Sequence, residues 1–315
     1  MKGYKGFDKG LVCRVKQYKE NTVFEEDEAV ICKKGLHFCV NPFEVLNYYP
    51  LVNFKGEFND FAEVEALDEC YTDDEKKYCT KKLKIGAKLS FGGFVKACVD
   101  FIIEKTSDSS SGYDARIGSS GDDAQIGSSG DYAQIGSSGY RARIGSSGDD
   151  AQIGSSGDYA QIGSSGYRAR IGSSGDYARI GSSGYDARIG SSGYRARIGS
   201  SGYDAQIGSS GDDAQIGSSG NYAQIGSSGN YAQIGSSGDR ARIKSEGEDS
   251  VVCCTGHDCI VSAKKGSWIT LAEWGYSREK DRYVPTFVRT EYVDGERIKA
   301  DTFYKLKNGE FVEAE

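Results

Sequence analysis

Apolar and polar residues recur with a fixed nine-residue period through the middle of the chain. From Gly112 to Ile243 the chain repeats the unit G-S-S-G-x-x-A-[QR]-I without an insertion, and the first of the fifteen copies begins at its second glycine. Ala recurs at every ninth position from Ala115, and Ile from Ile117, while the two residues before each Ala vary among Asp, Tyr, Asn and Arg. Because Ala and Ile stand two residues apart, an extended strand directs both to one face. The pattern therefore predicts one short strand per unit, with the invariant residues buried.

The G-S-S-G segment predicts the turns between these strands. Glycine adopts positive φ at little steric cost, and serine hydroxyls hydrogen-bond to turn backbone groups. Two strands and two turns need about 18 residues, so we expect a parallel β-solenoid with two units per coil and a thin core of Ala and Ile. A triangular coil of about 27 residues is the alternative, and the composition alone also fits a flexible Gly/Ser linker. Ile that stays in phase for fifteen units favours the solenoid.

The flanking regions lack the repeat and predict separate modules, so the fold class is mainly β with a central solenoid. Residues 1–105 predict an α+β domain, with strands at 23–24, 29–32 and 61–67 and helices at 43–49 and 89–105. The second helix directly precedes the first repeat, and we expect it to cover the open end of the solenoid, where an uncapped sheet edge would aggregate.

After the fifteenth unit the register survives while the consensus decays. Gly247 and Gly256 keep the nine-residue phase, which predicts two degenerate capping units and a solenoid over residues 106–265. Residues 266–315 predict a small β-meander cap, with Asp-Gly and Asn-Gly dipeptides as hairpin turns. Trp268, Leu271 and Trp274 bring the bulk expected to plug the core.

Charge and cysteine usage narrow the class of protein. The net charge is −7, and no segment forms a basic surface, which disfavours nucleic acid as a partner. No apolar stretch is long enough to span a membrane, and the N-terminus lacks a signal-peptide core. Nine cysteines, with an adjacent pair at Cys253 and Cys254, are typical of free thiols in a reducing compartment. We therefore expect a cytoplasmic protein that does not bind membranes.

The variable positions of the array are the candidate binding residues. Tyr and Arg are enriched in protein interfaces because they offer large contact areas and directed hydrogen bonds. The pattern predicts a protein partner and also permits a homo-oligomer; the alternative is a solvated ladder in which opposite charges pair between coils. Calcium is disfavoured because Asp precedes Ala in only six of fifteen units. The predicted binding residues are Tyr132, Tyr140, Arg141, Tyr159, Tyr167, Arg168, Tyr177, Tyr185, Tyr194, Arg195 and Tyr203.

Three closely spaced residues of the first module are candidate metal ligands. Cys32, His37 and Cys39 lie within eight residues, and Cys13 is a conceivable fourth ligand for zinc. The spacing C-x4-H-x-C is not a strong zinc signature, so buried structural thiols beside a hydrogen-bonded histidine are the alternative. We expect no cofactor elsewhere.

The same stretch carries a local resemblance. Gly35-Leu36-His37-Phe38-Cys39, followed by Pro42 and Tyr48-Tyr49, resembles the strand, turn and Tyr-bearing helix of ADP-ribosyltransferases, with Tyr4-Lys5-Gly6 in the place of that family's early NAD-contacting strand. His37 stands where the family has a stacking Tyr. The resemblance implies an NAD-dependent transferase, for which Glu63 and Glu65 are the candidate acidic residues.

Both flanks together resemble a group of uncharacterised proteins of bacteria and their prophages. The shared motifs are Tyr4-Lys5-Gly6-Phe7 near the start and Leu271-Ala272-Glu273-Trp274 and Tyr304-Lys305-Leu306 near the end, around a Gly-rich array of variable length. The resemblance implies a mobile-element origin and a host-cell location. We therefore expect a non-enzymatic protein that binds a host protein, such as an antiviral defence component that it inhibits or sequesters. An ADP-ribosyltransferase-like enzyme and a phage structural protein are the alternatives.

Overall fold

The nine-residue units form a parallel β-solenoid of about nine turns over residues 116–271. The computed structural model describes residues 1–53, 56–105 and 112–314, with the backbone alone for residues 100 and 102–105. Ile117 pairs in parallel register with Ile135, and Ile126 pairs with Ile144. Each strand therefore lies beside the strand two units later, which confirms the 18-residue coil and excludes the triangular one.

The N-terminal region is the predicted α+β module. A four-stranded antiparallel sheet has the order β1-β6-β9-β4, a three-stranded sheet has the order β5-β8-β7, and β2 pairs with β3. Residues 29–32 contribute only an isolated bridge between Val30 and Lys34, so the strand predicted there is wrong. The elements are β1 (Lys2–Phe7), β2 (Val12–Cys13), β3 (Lys16–Gln17), β4 (Thr22–Glu25), β5 (Leu36–Phe38), α1 (Pro42–Val45), β6 (Asp60–Ala66), β7 (Cys70–Tyr71), β8 (Tyr78–Thr80), β9 (Lys82–Leu89) and α2 (Phe91–Lys105).

Alternate strands of the remaining chain form two sheets. Sheet A contains β10 (Arg116–Ser119), β12 (Gln134–Ser137), β14 (Gln152–Ser155), β16 (Arg170–Ser173), β18 (Arg188–Ser191), β20 (Gln206–Ser209), β22 (Gln224–Ser227), β24 (Arg242–Ser245), β26 (Ile260–Ser262), β29 (Tyr304–Lys307) and β30 (Glu310–Glu313). Sheet B contains β11 (Gln125–Ser128), β13 (Arg143–Ser146), β15 (Gln161–Ser164), β17 (Arg179–Ser182), β19 (Arg197–Ser200), β21 (Gln215–Ser218), β23 (Gln233–Ser236), β25 (Val251–Cys254), β27 (Trp268–Ser277) and β28 (Arg282–Tyr292).

The core between the two sheets contains serine as well as the predicted Ala and Ile. Ala187, Ile189 and Ser191, which lie at alternate positions along one extended segment, are all fully buried. The first serine of G-S-S-G ends each strand two residues after Ile, so strand alternation turns it inward as well. Its Oγ makes no hydrogen bond within the described residues in most units, including Ser191. The prediction that serine hydroxyls hydrogen-bond to turn backbone groups is therefore wrong for the first serine of most pairs.

The turns also differ from the prediction in which residue takes positive φ. In every unit it is the residue before Ala, for example Tyr177 with φ 56° and Asp186 with φ 55°. The second glycine of G-S-S-G is required for another reason. A Cβ on Gly184 would lie 1.9 Å from the carbonyl oxygen of Gly166 in the preceding coil. Any side chain here would force stacked coils apart.

Helix α2 packs along the outer face of sheet A, so the prediction that it covers the solenoid end is wrong. It contacts strands β12, β14, β16 and β18 in succession. The side chain of Val95 lies 3.1 Å from the position that a Cβ on Gly190 would occupy, and Val99 lies 3.6 Å from the corresponding position on Gly172. The physical reason is that the outward glycines of sheet A leave a shallow channel into which an apolar helix face fits.

The C-terminal region closes the other end of the core. Val252 and Val261 of the degenerate units are fully buried in the Ile positions. Leu271 is also fully buried, as predicted, and the core continues into Val293, Ile298, Tyr304 and Leu306. Trp268, by contrast, is 49% exposed, because it aligns with the outward side chain of Val251 in the neighbouring strand. The hairpin turn predicted at Asn308-Gly309 is present, with φ of 53° and 75°.

The two outward glycine rows differ in what surrounds them, and this predicts a difference in stability. A Cβ on Gly226 of sheet A would lie 2.9 Å from Val52 and 3.0 Å from Phe58, whereas a Cβ on Gly217 of sheet B would meet nothing within 4 Å. We expect Gly226→Ala to cost roughly 1–3 kcal/mol of unfolding free energy through overpacking. The matched Gly217→Ala should be neutral or stabilise by up to about 1 kcal/mol. Urea unfolding of both variants checks this, and equal effects would contradict the packing.

Candidate functional site

The predicted binding residues lie in the turns and not on the sheets. The turns before the sheet A strands form one edge of the solenoid, called here the first ladder, and the turns before the sheet B strands form the opposite edge, the second ladder. The predicted residues are therefore divided between two surfaces. The first ladder contains Tyr132, Tyr167, Arg168, Tyr185 and Tyr203, and the second contains Tyr140, Arg141, Tyr159, Tyr177, Tyr194 and Arg195.

In the second ladder the aromatic rings of successive coils contact each other. The ring centroids of Tyr140 and Tyr159 lie 5.4 Å apart, and those of Tyr159 and Tyr177 lie 4.9 Å apart with nearly parallel planes. Tyr194 continues the series at 5.9 Å from Tyr177. The guanidinium of Arg195 lies 4.8 Å from the Tyr194 ring. The coil repeat thus builds a continuous strip of Tyr rings flanked by arginine.

The first ladder carries a second strip. Tyr167, Tyr185 and Tyr203 stack with centroid separations of 5.5 and 5.2 Å, and Tyr222 follows at 5.0 Å. Arg240 contacts the Tyr222 ring and hydroxyl. Tyr222 and Arg240 were not among the predicted residues, although their positions in the repeat match those of Tyr177 and Arg195.

Acidic and amide residues at the first variable position have a structural task. The carboxylate of Asp176 accepts a hydrogen bond of 2.8 Å from the backbone N–H of Tyr194 in the next coil. Every Asp or Asn at this position makes the same bond, so these side chains hold stacked turns together and are not free interface charges. They are Asp122, Asp131, Asp149, Asp158, Asp176, Asp212, Asn221, Asn230 and Asp239.

The outer face of sheet B adjoins the second ladder. Its outward positions carry a row of glycines beside a row of Gln and Arg, and together they line a shallow open groove of about 1420 Å³. A smaller recess of about 320 Å³ connects the groove to the ladder; Tyr159, Tyr177 and Arg179 are among the residues that line it. The groove and the second ladder are therefore one continuous surface.

The N-terminal domain contains a separate cleft of about 880 Å³, lined among others by Tyr4, Lys5, His37, Tyr48 and Tyr49. The ammonium of Lys5 is buried and donates a 2.8 Å hydrogen bond to the backbone carbonyl of His37. Burial lowers the pKa of Lys5. The Tyr49 hydroxyl donates to the Cys13 thiol at 3.1 Å. Several further cations line the same cleft, namely Arg14, Lys16, Lys33, Lys34 and Lys77.

The residues predicted as metal ligands do not converge on a common point. Both ring nitrogens of His37 are within hydrogen-bond distance of backbone groups: Nε2 accepts from Cys32 N at 3.0 Å, and Nδ1 lies 3.1 Å from Gly35 O. The Cys32 thiol accepts from Lys77, and burial raises the pKa of Cys39 to about 12. Within the described part of the chain, no group of three or more His, Cys, Asp or Glu side chains is arranged to hold a metal. Cys32, His37 and Cys39 therefore do not form the predicted zinc site.

The acidic residues suggested by the transferase resemblance also lie elsewhere. Glu63 is exposed on β6, opposite Tyr4 in the register with β1, and Glu65 lies opposite Lys2. Neither residue lines the cleft. The structure thus brings Tyr4, Lys5, His37, Tyr48 and Tyr49 together without a carboxylate from this strand.

The fold and surfaces define a β-solenoid protein with an α+β domain packed on one face. Residues 1–97 match a family model described as a domain of unknown function (DUF7666). No curated protein and no solved structure matches the chain.

The apolar content of the helices bears on membrane association. Over residues 1–53, 56–105 and 112–314, neither helix is long and apolar enough to cross a membrane.

The environment of His37 predicts its titration. Partial burial, followed by the nearby Lys5 and Lys77, lowers the pKa of His37 from about 6.5 to about 4. A histidine whose pKa is lower in the folded state stabilises the fold fully above about pH 6.5, and that contribution is lost as the pH falls towards 4. NMR titration should show His37 neutral at pH 5.5, and the chain has only one other histidine, His257. A midpoint near 6.5 for the His37 imidazole would contradict this environment.

Proposed function

We propose that this chain is a non-enzymatic interaction protein that binds a protein partner with the open side of its solenoid. The observation that supports it best is the asymmetry of the rod. The N-terminal domain covers sheet A, whereas sheet B and the adjoining second ladder present stacked Tyr and Arg side chains to solvent. Tyr140 and Tyr159 are 42% and 44% exposed. Exposed rigid aromatic rings with arginine beside them are typical of binding hot spots.

The rigidity of the array supports the same function. Stacking and the Asp–backbone bonds hold the Tyr rings in place before a partner arrives, so little side-chain entropy is lost on binding. Arg195 is held by the Asp213 carboxylate at 3.3 Å and by the Tyr194 ring. A preorganised strip of this kind suits a partner with an extended, regular surface.

The resemblance to prophage proteins suggests the source of the partner. A protein carried by a mobile element acts on the cell it enters, so we propose a cytoplasmic host protein, in particular a component of antiviral defence that is inhibited or sequestered. Nucleic acid is a poorer candidate because the ladders carry Asp among their Arg residues, and affinity for phosphates grows with the number neutralised.

A second candidate function, ADP-ribosyl transfer by the N-terminal domain, is favoured by one observation. Tyr4, Lys5, His37, Tyr48 and Tyr49, which carry the resemblance to that family, line one cleft. The absence of Glu63 and Glu65 from the cleft weighs against it. Incubation with labelled NAD and host lysate separates the two functions, since we expect no label on any protein, and incorporation of label would favour the enzyme.

The ladder hypothesis predicts a side-specific loss of binding. The double variant Tyr159→Asn, Tyr177→Asn removes the central rings of the second ladder, and Asn tolerates the positive φ of these positions. We expect at least about a tenfold loss of affinity for a host protein captured by the wild type, since aromatic hot spots cost about 2 kcal/mol or more when truncated. Titration calorimetry with the purified partner measures it.

The matched control makes the same change at the same repeat position on the other edge. Tyr132→Asn, Tyr222→Asn should leave the affinity unchanged, and circular dichroism should show both variants folded. Equal losses in the two variants would contradict a role for the second ladder, and recovery of the chain from purified virions would favour a structural role instead.

A further inference from the structure

The outward glycines of sheet B are unexplained by any contact within the described chain. Glycine weakens a strand because it packs nothing and loses more backbone freedom than other residues. A Cβ would meet no atom within 4 Å at any of these positions. Glycine nevertheless occupies seven successive strands, which is the pattern expected where another chain approaches the backbone closely. The seven are Gly127, Gly145, Gly163, Gly181, Gly199, Gly217 and Gly235.

Sheet A shows what such a row accommodates. On α2, Phe91, Val95 and Val99 are spaced four residues apart, and they lie against glycines spaced 18 residues apart, Gly208, Gly190 and Gly172. Four helical residues rise about 6 Å, close to the roughly 4.8 Å between strands. A helix along the solenoid axis therefore places about one apolar residue over each coil.

The polar row beside the glycines defines the charge of the occupant. On sheet A, Arg170 is buried and forms an ion pair with Glu44 of α1 at 3.2 Å. The equivalent outward positions of sheet B hold Gln and three arginines, Arg143, Arg179 and Arg197, all exposed. No outward position of strands β11 to β23 is acidic. Two copies of this face would repel each other, whereas an acidic partner would supply the carboxylates that Glu44 supplies on sheet A.

The face also ends at an apolar step. Val251, Trp268 and Tyr292 lie side by side on the outward side of strands β25, β27 and β28, and they are 51%, 49% and 41% exposed. Contiguous exposed apolar side chains of this size mark interaction sites in soluble proteins. A helix lying along the glycines would meet this step at its end.

We propose that the outer face of sheet B is a docking groove for an acidic amphipathic helix of the partner protein, bound along the solenoid axis as α2 is bound on sheet A. This rests on the proposed function and names the structural class of the partner segment. Small aliphatic residues every fourth position lie over the glycines, and glutamates or aspartates on one side pair with Arg143, Arg179 and Arg197.

The probe is an 18-residue peptide with valine at every fourth position and glutamate flanking the valine stripe, labelled for fluorescence anisotropy. The control peptide has lysine in place of each glutamate. We expect saturable binding of the glutamate peptide to the full chain, at least about tenfold weaker binding of the lysine peptide, and weakening of the former with added salt. Equal binding of both peptides, or no binding of the glutamate peptide, would overturn the proposal.

Matched variants of the chain locate the site. Gly163→Gln, Gly181→Gln fills the groove at two coils where there is space for a side chain, so the fold should persist by circular dichroism. We expect this variant to bind the glutamate peptide at least about tenfold more weakly. The double variant Arg179→Gln, Arg197→Gln should lose both affinity and the salt sensitivity of binding. Arg240→Gln, on the first ladder and outside the predicted binding residues, should change neither. Unchanged binding in the glycine variant would overturn the proposal.

The results also separate this proposal from the proposed function. If the host protein is lost by the second-ladder Tyr variant but retained by the glycine variant, the docking groove fails while the interaction function stands. If the Tyr variant retains the host protein but the glycine variant loses the peptide, the role of the second ladder fails while the docking groove stands. Self-association of the chain that the glycine variant abolishes would assign the groove to a second copy and overturn the helix proposal.

Discussion

The structure depends on how closely one coil can lie on the next. At the second glycine of each unit the backbones approach so tightly that a Cβ on Gly184 would lie 1.9 Å from the Gly166 carbonyl oxygen. The close approach lets successive turns hydrogen-bond, as Tyr177 N does to Tyr194 O at 2.8 Å, and lets Asp176 bridge to the backbone of the next coil. The strand spacing of about 4.7–4.9 Å then follows, and it is this spacing that brings Tyr rings into contact distance. The aromatic ladders are thus a consequence of stacking.

The repeat gives the solenoid two outer faces of similar chemistry, and within the described chain only the face of sheet A is covered by other elements. The same glycine and Gln/Arg rows lie outward on both sheets, but α2 and Glu44 cover them on sheet A alone. Residues 121–147 and 148–174 are identical, and a block of three units shifts each copy to the opposite sheet. The array therefore keeps on both faces the pattern that packs against α2 on sheet A. What distinguishes the faces is the N-terminal domain, which covers sheet A and leaves sheet B open.

The cleft of the N-terminal domain is chemically distinct from the array. Lys5 is buried beneath it, with its pKa lowered by burial, and burial together with the nearby Lys5 and Lys77 lowers the pKa of His37 to about 4. These are features of a structured interior beside a basic rim, in a domain whose family match ends at residue 97. The N-terminal domain thus packs on one side of the solenoid, and the array presents a regular surface on the other side.

The sequence by itself determined the solenoid, because the period of Ala and Ile is a local property that decides both strand and coil length. It also predicted α2 from the apolar spacing around Val95 and Val99, and the Asn308-Gly309 turn from its dipeptide. Tertiary structure decided on which sheet α2 packs. The outward glycine rows of both sheets have the same sequence pattern, so the position of the helix depends on long-range packing of Val95 against Gly190. The division of the Tyr residues into two edges, the inward first serine and the outward Trp268 were decided in the same way, by which neighbouring strand each residue meets once the coils stack.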